Sequence, residues 1–160
     1  MGSSTSSVES IESKGAIIEK EIDWGVKNEY LRRFRKAYVS RVIEHISVVQ
    51  DNFMGRLVSA EHKALIFEFE MNLERISVLI EWVNTGLIIE VQLNSSFFYE
   101  RRKKEVARKA LKITKVLRLE EIIQIAENYT NGEKYSVAFF NCIHVSKYLK
   151  KVLGVTGYIQ

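Results

Sequence analysis

Three runs rich in β-branched and aromatic residues follow one another through the middle of the chain, and their spacing leaves little choice of topology. They are Glu61-His62-Lys63-Ala64-Leu65-Ile66-Phe67-Glu68-Phe69-Glu70, Ile76 to Val83, and Leu87 to Leu93. Side chains of these types favour a pleated, half-buried backbone. Asn84-Thr85-Gly86 supplies a turn between the second and third runs, and Met71 to Arg75 one between the first and second. Connectors this short predict an antiparallel meander whose first strand opens at His62. With 160 residues and 46% hydrophobic content the chain can bury one good core, so a single α+β domain over residues 15–160 is expected, with the meander sheet packed on helices.

The helix best defined by periodicity lies near the C-terminus. Ile143, Val145, Tyr148, Leu149, Val152 and Leu153 recur at helical spacing, Lys147, Lys150 and Lys151 fall largely between them, and Gly154 supplies a stop. Cys142, the only cysteine, therefore falls in the first turn. Unpaired backbone N–H groups and the positive end of the helix dipole favour a thiolate there. A cysteine can equally well only fill a core, so the helix position needs a partner to carry chemistry. The candidate is His62, at the edge of its strand; alone, a histidine there is an ordinary polar residue.

The order of these pieces resembles a known family. His62-Lys63-Ala64-Leu65 on a strand, two further strands, a helix over Leu119 to Tyr129, then Tyr135 and Asn141-Cys142-Ile143-His144 at a helix start together look like the circularly permuted papain-like fold. That group includes lecithin–retinol acyltransferase-like enzymes and PPPDE-type isopeptidases and thioesterases. The resemblance spans about residues 38 to 154. Lys63 and Val145 stand where many of its members carry aromatic residues. What it implies is nucleophilic acyl transfer: Cys142 as nucleophile, His62 as base, and backbone N–H groups at the helix start as oxyanion donors. The substrate would be an ester, thioester or amide, of a lipid or a lipid-modified molecule, and the acceptor water, an amine or a hydroxyl. Asn141 and His144 would support the motif. His144 lies about 200° around the helix from Cys142, and so is expected to bond a neighbouring sheet or loop rather than act as the base. If the first hairpin turns around Met71 to Arg75, His62 lies across from about Asn84, which is then the candidate to orient its ring. A peptidase or isopeptidase, or an inert binding module of the same fold, are the other readings of the same residues.

Composition narrows the setting. One cysteine excludes an internal disulfide and points to a reducing, cytoplasmic compartment. No apolar run approaches the roughly 20 residues of a membrane span, and no secretory signal is visible. Three scattered histidines and one cysteine offer no metal-ligand spacing, so neither metal nor cofactor is expected. Residues 1–14, dominated by Ser, Thr and Glu, read as a disordered tail. Its start, Met1-Gly2-Ser3-Ser4-Thr5-Ser6, fits N-myristoylation at Gly2; expression-vector leaders begin the same way, and both readings stand. A single acyl chain needs a second signal for stable membrane residence. Arg32, Arg33, Arg35 and Lys36 form one basic cluster, and the stretch from Arg101, Arg102, Lys103 and Lys104 to Arg118 another, either of which suits an anionic membrane inner face or is simply a solvated surface. Nucleic acid is a poorer fit, because Phe97, Phe98 and Tyr99 precede the basic run without interleaving with it. Segment 15–53 reads as a helix through Tyr30 to Tyr38 running into a strand over Tyr38 to Val49, Gly55 as a turn, His45 as a surface residue, and Val155 to Gln160 as a short strand or tail. Nothing marks an oligomer interface.

Overall fold

The computed structural model describes residues 16–18, 29–53, 55–101, 105–136 and 141–159. The tail, Gly2, Arg102, Lys103 and Lys104 lie outside the described residues, as does the side chain of Arg101. The fold is α+β. Its strands are β1 (Ala16–Ile18), β2 (Val39–Phe53), β3 (Arg56–Met71), β4 (Glu74–Val83), β5 (Gly86–Gln92), β6 (Glu105–Lys112) and β7 (Gly157–Tyr158). The helices are α1 (Glu29–Phe34), α2 (Ser96–Arg101), α3 (Leu119–Thr130) and α4 (Cys142–Val152). Six strands form an antiparallel sheet in the order β1-β5-β4-β3-β2-β6, and the two-residue β7 extends it beyond β6.

Local chemistry sets the turns. Gly55, at φ +78°, lets β2 fold straight back into β3, and the pair run in register from Val39↔Phe69 to Phe53↔Arg56, with one irregularity between Val39 and Arg41. Asn72 and Leu73 make the next turn with φ of 52° and 66°, closing Met71 onto Glu74. Asn84 and Thr85 make the third, closing Val83 onto Gly86. The meander over β3, β4 and β5 matches the sequence reading, with one correction: β3 begins at Arg56, so His62 lies within a strand and not at its start. The tight turn at Gly55 lets residues 56–61 pair with β2, which extends the strand past the apolar run that marked it.

Alternation divides the sheet into two covered faces. One carries Leu65, Phe67 and Phe69 of β3, Ile76, Val78, Ile80 and Trp82 of β4, and Leu87, Ile89 and Val91 of β5, all buried with Leu119, Ile122, Ile123 and Ala126 of α3 and Val145, Leu149 and Leu153 of α4. The other carries a smaller cluster of Ile43, Ala64, Ile66 and Leu79 with Phe98 of α2. Burial on both faces is why Val78 to Val83 reads as a nearly unbroken apolar run. The α3 and α4 helices are fastened to each other by Tyr129 and Tyr148, whose rings stack 3.9 Å apart at 9°. Gly154, at φ +62°, follows α4 and brings its carbonyl to Thr114 Oγ1 at 2.8 Å.

Leu73 is an exposed branched residue in the left-handed region, a conformation that costs an L-residue about 1–2 kcal/mol and glycine almost nothing. Leu73→Gly should therefore raise the urea midpoint, by about 1 kcal/mol of stability. A lower midpoint would mean that Leu73 makes a contact outside the described residues. Phe67→Ala, at a fully buried position of β3, should cost about 3–5 kcal/mol in the same experiment.

Candidate active site

The site begins where two strands part. The β3–β4 ladder runs from Met71↔Glu74 to Leu65↔Ile80 and ends there, while β3 continues in full register with β2. In an antiparallel strand the N–H and C=O of one residue face the same neighbour, and so do those of the residue two positions on. Past Leu65, the edge of β3 that had faced β4 therefore offers backbone groups to something else. Cys142 takes them. Its Sγ lies 3.6 Å from the carbonyl oxygen of Glu61, and the backbone N–H of Lys63 donates to it. The first residue of α4 thus occupies the place where β4 would have continued.

The helix start is built by the residues on either side of the thiol. Asn141 is the N-cap: its Oδ1 accepts the N–H of Ile143 at 3.0 Å. His144 closes the reciprocal half, its Nδ1 accepting the N–H of Asn141 at 3.1 Å. Its ring is exposed and turns back onto Asn141, because three residues along a helix is the reach of a capping box. It is not the base.

His62 is the residue that meets the thiol. The side chains of His62 and Cys142 are hydrogen-bonded to each other. The ring Nε2 lies 3.2 Å from Glu81 Oε2 of β4. All three groups are withdrawn from water, with Cys142 3% exposed, His62 7% and Glu81 9%. Burial alone would push the imidazole down, but the hydrogen bonds to Cys142 and Glu81 and the charges of both outweigh it, and the His62 pKa is raised to about 9. Burial likewise pushes the thiol up; the His62 hydrogen bond, the Lys63 N–H, the imidazolium charge and the N–H of Cys142 itself more than offset this and hold the thiol below its ordinary value. The two shifts run the same way, towards a thiolate beside an imidazolium.

Asn84, expected to orient the ring, does not. It sits exposed in the β4–β5 turn. The β3–β4 turn is centred between Asn72 and Leu73, half a residue earlier than a turn centred on Leu73, so the face of β3 that bears His62 continues onto Glu81 and Val83 of β4. One residue of register exchanges the faces of a strand, which removes Asn84 and brings in Glu81. The sequence does carry a signal for Glu81: it is the lone carboxylate inside Val78-Leu79-Ile80-Glu81-Trp82-Val83, and a buried acid within an apolar strand needs a partner.

Other charged groups fall into place around this centre. His45, expected on the surface, is fully buried in β2 with its Nε2 2.7 Å from Glu105 Oε2 of β6 and its ring stacked on Tyr99. It ties β6 and α2 to β2. The first basic cluster is largely spent on ion pairs: Arg32 with Glu29, Arg33 with both oxygens of Glu74, and Arg35 and Lys36 with Glu120. Among the described residues, no three His, Cys, Asp or Glu side chains converge as metal ligands would, and no helix is long and apolar enough to cross a membrane.

If Glu81 holds the proton on His62, an NMR titration of the ring should give a midpoint near 9, falling towards the ordinary 6.5 in Glu81→Gln. A midpoint that Glu81→Gln leaves in place would remove Glu81 from the site. No family model matches the chain, and no match was found among curated proteins or solved structures, so the chemistry of the site stands on its own geometry.

Proposed function

We propose that this chain is a cysteine-dependent hydrolase or acyltransferase of the permuted papain-like kind, working through a thioester on Cys142. The observation that carries the reading is the hydrogen bond between Cys142 and His62, backed by Glu81 3.2 Å from the ring Nε2. A cysteine that merely filled a core would have no use for a buried histidine held protonated against it, since placing three ionisable groups out of water is costly unless they are paired.

The steps follow from the charges. The Cys142 thiolate attacks the carbonyl carbon of an ester, thioester or amide, and the electron pair of the C=O moves onto oxygen. The N–H groups of Ile143 and His144 are taken up by Asn141, so at the start of α4 the donor for that oxyanion is the N–H of Cys142, released from the sulfur as the S–C bond forms. The tetrahedral species collapses as His62 gives its proton to the leaving alkoxide, thiolate or amine, which departs and leaves an acyl–sulfur bond. His62, now neutral, takes a proton from water or from an amine or hydroxyl acceptor, whose attack on the thioester releases the acyl product and restores the thiolate and imidazolium. Glu81 acts through His62, keeping the ring oriented and its charged form favoured.

Lipid substrates and an anionic membrane partner belong to the same proposal on narrower support. Lys112 and Lys115 are exposed and make no ion pair among the described residues, whereas the cations of the first cluster have carboxylate partners. On the side of an inert binding module stands the burial of the thiol, at 3% exposure, which requires the entrance to open for any substrate.

A generic activated ester, 4-nitrophenyl acetate, tests the chemistry without knowledge of the natural substrate. Intact-mass measurement should find one acetyl group on the wild-type chain and none on Cys142→Ser, with His62→Ala slowing acylation at neutral pH because the thiol returns towards its ordinary pKa and less of it is ionised. Acylation should rise through the depressed thiol pKa and, for poor leaving groups that need a proton, fall as pH passes about 9 and His62 loses its charge. Equal labelling of wild type and Cys142→Ser would leave the binding module.

A further inference from the structure

A second buried charge faces the same helix, and the acyl-transfer steps do not use it. Glu44 of β2 is fully buried on the sheet face that α3 and α4 cover, opposite Leu65 of β3. Its Oε2 accepts Ser146 Oγ at 3.1 Å and pairs with Lys150 Nζ at 2.7 Å, and its Oε1 is buried without a hydrogen-bond partner among the described residues. Cys142, Ser146 and Lys150 stand four residues apart in succession along α4, so all three project from one side of the helix, each about 40° round from the last.

Stability does not explain this arrangement. An ion pair taken out of water is often no better than an apolar pair of the same volume, and a carboxylate with one oxygen unpaired is worse. Directional, buried polar contacts instead favour one arrangement over near-degenerate ones. The alternative arrangements here are rolls of α4 about its own axis. Val145, Leu149 and Leu153 hold the helix to the sheet by apolar contact, which is non-directional and tolerates such a roll. A roll of about 20° would carry a side-chain atom at the helix surface, about 5 Å from the axis, through nearly 2 Å. That is enough to take Sγ away from Glu61, Lys63 and His62 together, and misplacements of about 1 Å cost reactive sites about 10²-fold.

We propose that Glu44 is the positioning residue of the cysteine site: by gripping Ser146 and Lys150 it fixes the rotation of α4, and so sets Cys142 against His62 and the free edge of β3. The inference rests on the acyl-transfer reading of Cys142 and His62 but concerns a residue that touches neither.

The test pairs reactivity with stability on the full chain. Alkylation of Cys142 by iodoacetamide, the only thiol present, is followed against pH for wild type, Glu44→Gln, Ser146→Ala and the double variant Glu44→Met/Lys150→Met, beside urea midpoints. Glu44→Gln should slow alkylation at pH 7 by about tenfold or more and move the profile towards that of a free thiol. The double variant, which replaces the buried carboxylate and its half-buried partner by apolar side chains, should keep or raise the urea midpoint and still lose reactivity. Loss of reactivity without loss of stability is the result a purely structural Glu44 does not give. A double variant with the wild-type profile overturns the proposal. Should Glu44→Gln not fold, Ser146→Ala removes a single hydrogen bond and should shift the profile in the same direction by a smaller amount; an unmoved profile there also overturns it. A wild-type profile that is already ordinary defeats the acyl-transfer reading itself, and so separates the two failures.

Discussion

The site depends on where the ladder between β3 and β4 stops. Had pairing continued past Leu65↔Ile80, the carbonyl of Glu61 and the N–H of Lys63 would be spent on β4 and no edge would be left for the thiol. Because it stops, α4 can bring its first residue against a strand edge, where the Sγ of Cys142 lies by the Glu61 carbonyl and receives the N–H of Lys63 from the sheet and its own N–H from the helix start. β4 then brings the carboxylate of Glu81 to the Nε2 of His62. Three elements distant in sequence converge on one ring, and each contact is one that buried polar groups must make.

The electrostatics follow from that convergence. Burial opposes charge on each group separately: it would lower His62 and raise Cys142. The pair escapes the penalty by ionising together, the thiolate satisfied by N–H donors and the imidazolium held between two acceptors. A site of this kind is costly to maintain and poor at simple stabilisation, and for that reason strongly perturbed groups in contact are more often found where chemistry is done. Glu44, Ser146 and Lys150 repeat the pattern further along the same side of α4, where buried charge supplies orientation to a helix that apolar contact alone leaves free to roll.

Much of this was legible in the sequence, and what was not has physical reasons. The strands of β4 and β5 and the position of α4 follow from runs and periodicities that reflect burial on fixed faces, and Cys142 and His62 stand out through their pairing, each being ordinary alone. Glu81 did not, because choosing between it and Asn84 required the register of one hairpin to within a single residue, and a turn centred between Asn72 and Leu73 depends on two non-glycine residues at positive φ that nothing local demands. The strand β6 was hidden by its own charge: it lies near the sheet edge, where Arg108, Lys109 and Lys112 reach solvent and only Leu111 is buried, so alternation is faint. His45 and Glu44 sit side by side in Ile43-Glu44-His45-Ile46 and point to opposite faces, each buried by a partner far along the chain; only the assembled sheet reveals that.

The central claim is that Cys142 is a thiolate activated by His62, and the pH dependence of its alkylation tests that most directly, wild type beside His62→Ala. The account predicts a wild-type midpoint below the free-thiol value of about 8.5, moving up towards it when the imidazole is removed, with rapid alkylation at neutral pH in the wild type alone. A thiol that titrates ordinarily, or a depressed midpoint that His62→Ala leaves in place, would contradict it.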